Sequence, residues 1–111
     1  MFGPSLPWQD EFLAPYTKRD IIFRMLNNLK QIFLGRQEFH RAISTLEQMT
    51  LANPGAPSPY KELGWCHLRL EQPRLALECL ERYLHLDPAA EDASLVRRQV
   101  QALQSTLDQT N

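Results

Sequence analysis

Long apolar runs, glycine and cysteine are all scarce in this 111-residue sequence, and each scarcity excludes a class of protein. The apolar runs are only a few residues long, so we expect no helix that spans a bilayer. The first residues, MFGPSLPWQDEF, have neither the basic start nor the apolar core of a signal peptide. We therefore expect a cytoplasmic protein. With 4 glycines, the sequence also has no glycine-rich phosphate-binding loop.

The sequence also lacks an excess of positive or negative charge. The 12 basic and 13 acidic residues leave a formal net charge of -1. A near-neutral balance provides no electrostatic attraction for nucleic acid or for an acidic membrane surface. The short basic pairs Lys18-Arg19 and Arg97-Arg98 are typical of solvated helix faces. We expect a protein or peptide partner, with no nucleic acid and no membrane.

The residues that carry chemistry are few and widely spaced. Cys66 and Cys79 form no C-x-x-C pair, which favours reduced thiols inside helices over a disulfide or a zinc site. His40, His67 and His85 show no metal-ligand spacing. Cys66 and His67 are adjacent, and neighbours on a helix do not face each other. The sequence therefore predicts no catalytic, cofactor or metal site, and a protein that is not an enzyme.

What the sequence does contain is apolar residues at helical spacing, and no segment alternates with the period of a strand. In the first helix the apolar stripe is Ile22, Met25 or Leu26, Leu29 and Phe33. Thr17 is a candidate N-cap with Asp20 as its capping-box partner, and Ser58 with Pro59 marks a later helix start. The predicted fold class is all-α, with helices at about 18–35, 38–52, 59–70, 73–86 and 91–108.

Residues 1–16 differ from the rest of the sequence in having no helical pattern. They contain Pro4, Pro7 and Pro15, which oppose helix and central strand, together with the aromatic residues Phe2, Trp8, Phe12 and Tyr16. We interpret them as an extended arm, with Trp8 and Phe12 against the first helix or in a binding groove. A disordered linker between domains is the alternative.

A repeat of 34 residues relates the helices. The shift aligns Pro54 with Pro88, Ala42 with Ala76, Leu46 with Leu80, Leu29 with Leu63 and Leu34 with Leu68. A fixed period with two helices in each copy is the signature of a helical repeat. The interrupted stretch LANPGAPSPYKELGW is then the joint between two copies. The aligned alanines and Gly64 are expected where antiparallel helices approach most closely, because a larger side chain would overpack.

On these residues, NLKQIFLGRQEFHRAISTLEQMTLANP and ELGWCHLRLEQPRLALECLERYLHLDP resemble tetratricopeptide repeats. The resemblance implies a right-handed array, with unit one at 18–54, unit two at 58–88 and a capping helix at 91–108. Two positions depart from the pattern: Lys30 replaces a small residue in the first copy, and His67 replaces an aromatic residue in the second.

Residues 12–109 also resemble the C-terminal part of SirB1-type proteins, most specifically in PYTKRDIIFRMLNNLKQIF. In that family a transglutaminase-like domain precedes a short tetratricopeptide tail. The Cys, His and Asp that carry such an activity are not in this chain, so the activity is not carried over.

The tetratricopeptide resemblance implies that the first helix of each unit lines a concave face, which we call the predicted groove. Its predicted residues are Arg24, Asn27, Asn28, Gln31, Lys61, Trp65, Leu68 and Arg69. Trp65 reads either as an aromatic anchor for a partner or as a core residue stacked on the neighbouring unit. The predicted function is non-catalytic binding of a peptide or a neighbouring domain. The alternative function is a structural or dimerisation tail for a SirB1-type domain. A homodimer is one of the partner states that the sequence allows.

Overall fold

The computed structural model describes residues 17–110, which form five helices and contain no strand. The predicted all-α fold is therefore confirmed for this range, and every helix starts and ends within two residues of its predicted bounds. The predicted arm, residues 1–16, lies outside the described residues. Within residues 17–110, none of the helices combines the length and the apolarity needed to cross a membrane. The helices are α1 Lys18–Gly35, α2 Phe39–Ala52, α3 Ser58–Arg69, α4 Pro73–Leu86 and α5 Ala93–Thr110.

Three helix starts have capping or proline signals in the sequence, and the structure follows the predicted position in two of them. The Asp20 backbone N–H donates to Thr17 Oγ1 at 3.1 Å, and the Thr17 N–H donates to Asp20 Oδ2 at 3.0 Å, which confirms the capping box. Helix α4 begins at Pro73, as predicted. The prediction that Ser58 caps α3 is wrong by one residue. Pro57 occupies the cap without a side-chain hydrogen bond, and Pro59 lies in the first turn, where its missing N–H costs nothing.

The turns inside the two units have the same backbone geometry. Residues 36–38 connect α1 to α2, and residues 70–72 connect α3 to α4. Each turn holds one non-glycine residue in the left-handed region, Gln37 at φ 58° and Glu71 at φ 59°. These residues are 34 positions apart, so the repeat found in the side chains is present in the backbone as well.

Each helix packs against its neighbours in the chain, as expected for a repeat array. Ala42 and Ala76 have no exposed surface, and neither do Leu46 and Leu80. A methyl group added to Gly64 would lie 2.7 Å from Leu80 Cγ, closer than carbon atoms can pack. The structure therefore confirms that the small residues of the repeat occupy the tight contacts.

The buried side chains form two clusters. The first joins α2 and α3, with side chains from α1 packed against it. The second joins α4 and α5. The first comprises Ala42, Ile43, Leu46, Met49, Leu63 and Cys66, and the second comprises Leu80, Tyr83, Val96 and Val100. In α5, Val96 and Val100 are buried while Arg97, Arg98, Gln101 and Gln104 are exposed, so this helix presents a polar outer face.

The predicted apolar stripe of α1 is wrong at two of its four positions, Ile22 and Leu29, and at the position left open between Met25 and Leu26 it is Leu26 that faces inward. Ile22, Met25 and Leu29 are largely exposed. The inward face instead carries Phe23, Leu26 and Phe33, and Lys30 on the same face is buried as well. The reason is that the described helices lie on one side of α1 only, with α2 packed along it and α3 reached through Lys30, although both faces of α1 are apolar enough to be buried.

Candidate functional site

A cavity of about 440 Å³ opens where the end of α1, the start of α2 and the last two turns of α3 meet. Its walls are mainly apolar, with one exposed cation, Arg69, at the rim. The lining residues are Leu34, Phe39, Glu62, Trp65, Cys66, Leu68 and Arg69. This size and character suit one or two bulky apolar side chains of a partner.

Trp65 is the largest side chain in the cavity wall, and 40% of its surface is exposed. A fully buried core position is therefore excluded. The ammonium of Lys61, one turn earlier on α3, lies 5.2 Å from the centroid of the Trp65 ring. This cation–π contact restrains the tryptophan and leaves part of its ring available to a partner.

Lys61 also belongs to a second group of side chains, which connects α3 and α4 to Asp92, the residue immediately before α5. Its Nζ donates to Asp92 Oδ2 at 2.7 Å, and the Tyr83 hydroxyl donates to Asp92 Oδ1 at 2.6 Å. These two hydrogen bonds lower the pKa of Asp92 below its usual range, the bond from Lys61 having the larger effect. The bond to Asp92 raises the pKa of Lys61. Burial, together with its hydrogen bond to Asp92, raises the pKa of Tyr83.

Glu62, at the edge of the cavity, forms an ion pair with Lys30. The Lys30 Nζ lies 2.9 Å from Glu62 Oε1 and 3.0 Å from Oε2, and only 4% of Lys30 is exposed. The pair connects α1 to α3 across 32 residues of sequence. Lys30 is thus a buried structural residue that satisfies its charge across the joint between the units.

The predicted groove residues divide between two places. Trp65, Leu68 and Arg69 line the cavity, and Lys61 lies beside Trp65 while paired with Asp92. The four predicted on α1 do not line it: Asn27 is half-buried, and Arg24, Asn28 and Gln31 are exposed.

Sequence reasoning missed four lining residues, Leu34, Phe39, Glu62 and Cys66. A signal was present for Leu34, because the 34-residue shift aligns it with Leu68. Phe39, at the start of α2, packs against the first core cluster as well as lining the cavity. Its ring is covered by the Arg69 guanidinium, 4.9 Å from the centroid.

Both cysteines and one histidine, His67, are at least partly buried in the helix packing, whereas His40 and His85 are exposed. Burial raises the pKa of Cys66 and of Cys79 to about 11, so both thiols are protonated near neutral pH. Both are free, and Cys66 is buried. His67 is buried with its Nδ1 2.8 Å from Gln72 Oε1, so this nitrogen carries the proton and donates to the amide oxygen. In residues 17–110, no three His, Cys, Asp or Glu side chains are arranged to hold a metal ion.

Residues 29–101 match the sequence profile of the tetratricopeptide repeat. The chain belongs to the tetratricopeptide repeat family. The match covers α2, α3 and α4 entirely and begins and ends inside α1 and α5. Members of this family generally mediate protein–protein interaction and are generally not catalytic.

Two curated relatives are similar over most of this tetratricopeptide chain. A UPF0162 protein of Xylella fastidiosa, strain Temecula1, is 28% identical over 101 residues, which are 91% of this chain and 36% of the relative. A UPF0162 protein of strain 9a5c is 27% identical over the same coverage. The chain therefore spans little more than a third of the length of these relatives.

Proposed function

We propose that this tetratricopeptide chain is a non-catalytic module that binds a segment of another protein on the face formed by α1 and α3. The supporting observation is the cavity beside Trp65, in which apolar walls meet one exposed cation. A bulky apolar side chain of the partner fills the cavity, and an acidic neighbour of that side chain pairs with Arg69. A wall tryptophan beside an arginine is the composition of a binding hot spot.

The predicted groove on α1 extends this site. Arg24, Asn28 and Gln31 are exposed on the first helix of unit one and offer side-chain hydrogen bonds to a peptide backbone. Lys61 contributes by holding the Trp65 ring, since its ammonium is already paired with Asp92. A partner thus finds its apolar anchor on α3 and polar contacts on α1.

The test is a peptide array in which each peptide carries one Trp, Phe or Leu, with or without neighbouring Asp or Glu. The unmodified chain is expected to select apolar residues next to acids. Trp65→Ala should weaken this binding about 30-fold, as expected when an aromatic hot spot worth about 2 kcal/mol is truncated. Arg69→Glu should remove the preference for acidic neighbours.

The matched control is Leu95→Ala, which truncates a similarly exposed apolar side chain on α5 that does not line the cavity. It should leave the selected peptides and their Kd unchanged. Thermal unfolding of all variants separates loss of binding from loss of folding. If Trp65→Ala remains folded and selects the same peptides with the same Kd, the proposal is wrong.

A structural role inside a longer protein is the second candidate. It is supported by the greater length of the UPF0162 relatives and by the resemblance to SirB1-type proteins, in which a tetratricopeptide tail follows a transglutaminase-like domain. In this role the chain supports that domain or forms a cytoplasmic homodimer. Light scattering of the isolated chain tests the dimer, and a monomer over the whole accessible concentration range would leave only support of the domain.

A further inference from the structure

One face of α1 carries five apolar side chains that no described residue covers fully. Their exposed fractions are 40% for Ile21, 50% for Ile22, 60% for Met25, 44% for Leu29 and 48% for Ile32. Side chains of this kind, repeated along one helix, form a contiguous apolar surface. We refer to these five residues as the apolar face of α1.

The internal repeat indicates that this face is built to be covered. The 34-residue shift places Met25, Leu29 and Ile32 on Pro59, Leu63 and Cys66 of α3. All three α3 residues are buried, and Leu63 and Cys66 belong to the first core cluster, which α2 supplies with four side chains. In unit two the equivalent face of α3 therefore packs against α2. The apolar face of α1 has the same position and character without a neighbour among residues 17–110.

We propose that residues 1–16 of this same chain cover the apolar face of α1, running antiparallel to the helix. This segment joins α1 directly at its N-cap, Thr17. From Ile21 to Ile32 the face is about 16 Å long at 1.5 Å per residue. Measured from Thr17, the far end at Ile32 lies about 22 Å along the helix axis. An extended chain rises about 3.3 Å per residue, so the five residues back to Phe12 reach about 16 Å, past Met25, and the nine residues back to Trp8 reach about 30 Å, past Ile32. The inference does not depend on the peptide-binding proposal.

The amino-acid composition of residues 1–16 suits the apolar face of α1. The segment supplies Trp8, Phe12 and Leu13 as apolar side chains, and its prolines favour the extended path while reducing the entropy lost on docking. Charge is also complementary. The segment contains Asp10 and Glu11 and no Lys or Arg. Helix α1 and its C-cap carry exposed basic side chains, with Asp20 as the single acid: Lys18, Arg19, Arg24 and Arg36.

The direct test places a photoreactive benzoylphenylalanine at position 12 of the full chain and maps the adducts by mass spectrometry. An adduct within one chain to the α1 peptide that contains Ile21–Ile32 supports the proposal. An adduct between two chains assigns the face to a second copy, and an adduct to Trp65 or its neighbours assigns the segment to the cavity. Either of these, or the absence of an adduct, overturns the proposal.

A double-mutant cycle on the full chain supplies an independent readout. Phe12→Ala and Met25→Ala should each lower Tm by about 4 °C, and together by clearly less than the sum, because both remove the same contact. The control cycle combines Phe12→Ala with Leu51→Ala, which truncates a more exposed apolar residue on α2. Its shifts should add. Additive shifts in the Phe12 and Met25 cycle would refute the contact.

Discussion

The two joints of this array are each bridged by a lysine and a carboxylate, and they differ in how the pair is placed. Between α1 and α3, Lys30 and Glu62 pair at 2.9 Å, with 5% and 24% of their side chains exposed. Between α3 and α5, Lys61 and Asp92 pair at 2.7 Å, with 23% and 29% exposed. In the second joint the carboxylate has a further donor, the Tyr83 hydroxyl.

The difference shows how a helical repeat accommodates an exceptional residue. Lys30 occupies the position that Gly64 holds in unit two, where even a methyl group would collide with Leu80. A buried ammonium without a partner is costly, so Glu62 is required wherever Lys30 is present. The second pair contacts water more freely, so its charges depend less on each other.

Removing one charge from the buried pair should have the largest effect. Lys30→Met leaves the Glu62 carboxylate partly buried without a cation, and we expect the free energy of unfolding to fall by about 2–4 kcal/mol. Urea unfolding measures this change. Lys61→Met should cost clearly less, because Asp92 keeps the Tyr83 hydroxyl as a donor.

The control for this comparison removes both buried charges. Lys30→Met combined with Glu62→Leu should recover most of the stability, since an apolar pair of similar volume replaces the ion pair. A double variant as unstable as Lys30→Met alone would show that the shape of Lys30, rather than its charge, matters at this joint.

Glycine at the close contact of unit two should have an intermediate effect. Gly64→Ala gains about 1 kcal/mol of helix propensity but places its methyl group 2.7 Å from Leu80 Cγ. Because overpacking costs about 1–3 kcal/mol, we expect a net loss of up to about 2 kcal/mol. Gly35→Ala is the matched control, since nothing lies within 4 Å of its added methyl group, and it should be neutral or stabilising. Equal effects of the two substitutions in urea unfolding would contradict a tight crossing at Gly64.

Acid should have the smallest effect, acting on the more exposed pair. The pKa of Asp92 is lowered in the folded chain, so its stabilisation is present above its ordinary pKa of 3.8 and is lost as the pH falls through the folded value. Asp20, whose pKa is lowered by the bonds from Thr17, acts in the same direction. We expect Tm to fall below about pH 4, with a shallower decline in Asp92→Asn. Identical acid profiles of Tm would mean that Asp92 does not contribute.

Much of the fold could be predicted from the sequence because the signals are periodic and local. Prolines, caps and apolar spacing define the helices, and the 34-residue shift alone identifies Ala42 and Ala76 as contact positions. The orientation of α1 could not be predicted in this way. Both of its faces are apolar, and spacing alone does not say which one has a neighbour.

The candidate site was less predictable because its parts come from three helices. Trp65, Leu68 and Arg69 follow from the family pattern, whereas Phe39 enters the cavity through the position of α2. The Lys30 and Glu62 pair joins residues 32 positions apart that share no motif. Such long-range charge pairing depends on how two units are stacked, which a local pattern does not contain.

The left-handed residues in the two turns also set a limit on how stable this protein is. Gln37 and Glu71 hold a conformation that costs a residue with a side chain about 1 kcal/mol or more and glycine almost nothing. Neither residue lines the cavity, and neither belongs to the apolar face of α1. The chain therefore has room for greater thermal resistance at two equivalent positions that are separate from both of its proposed contact surfaces.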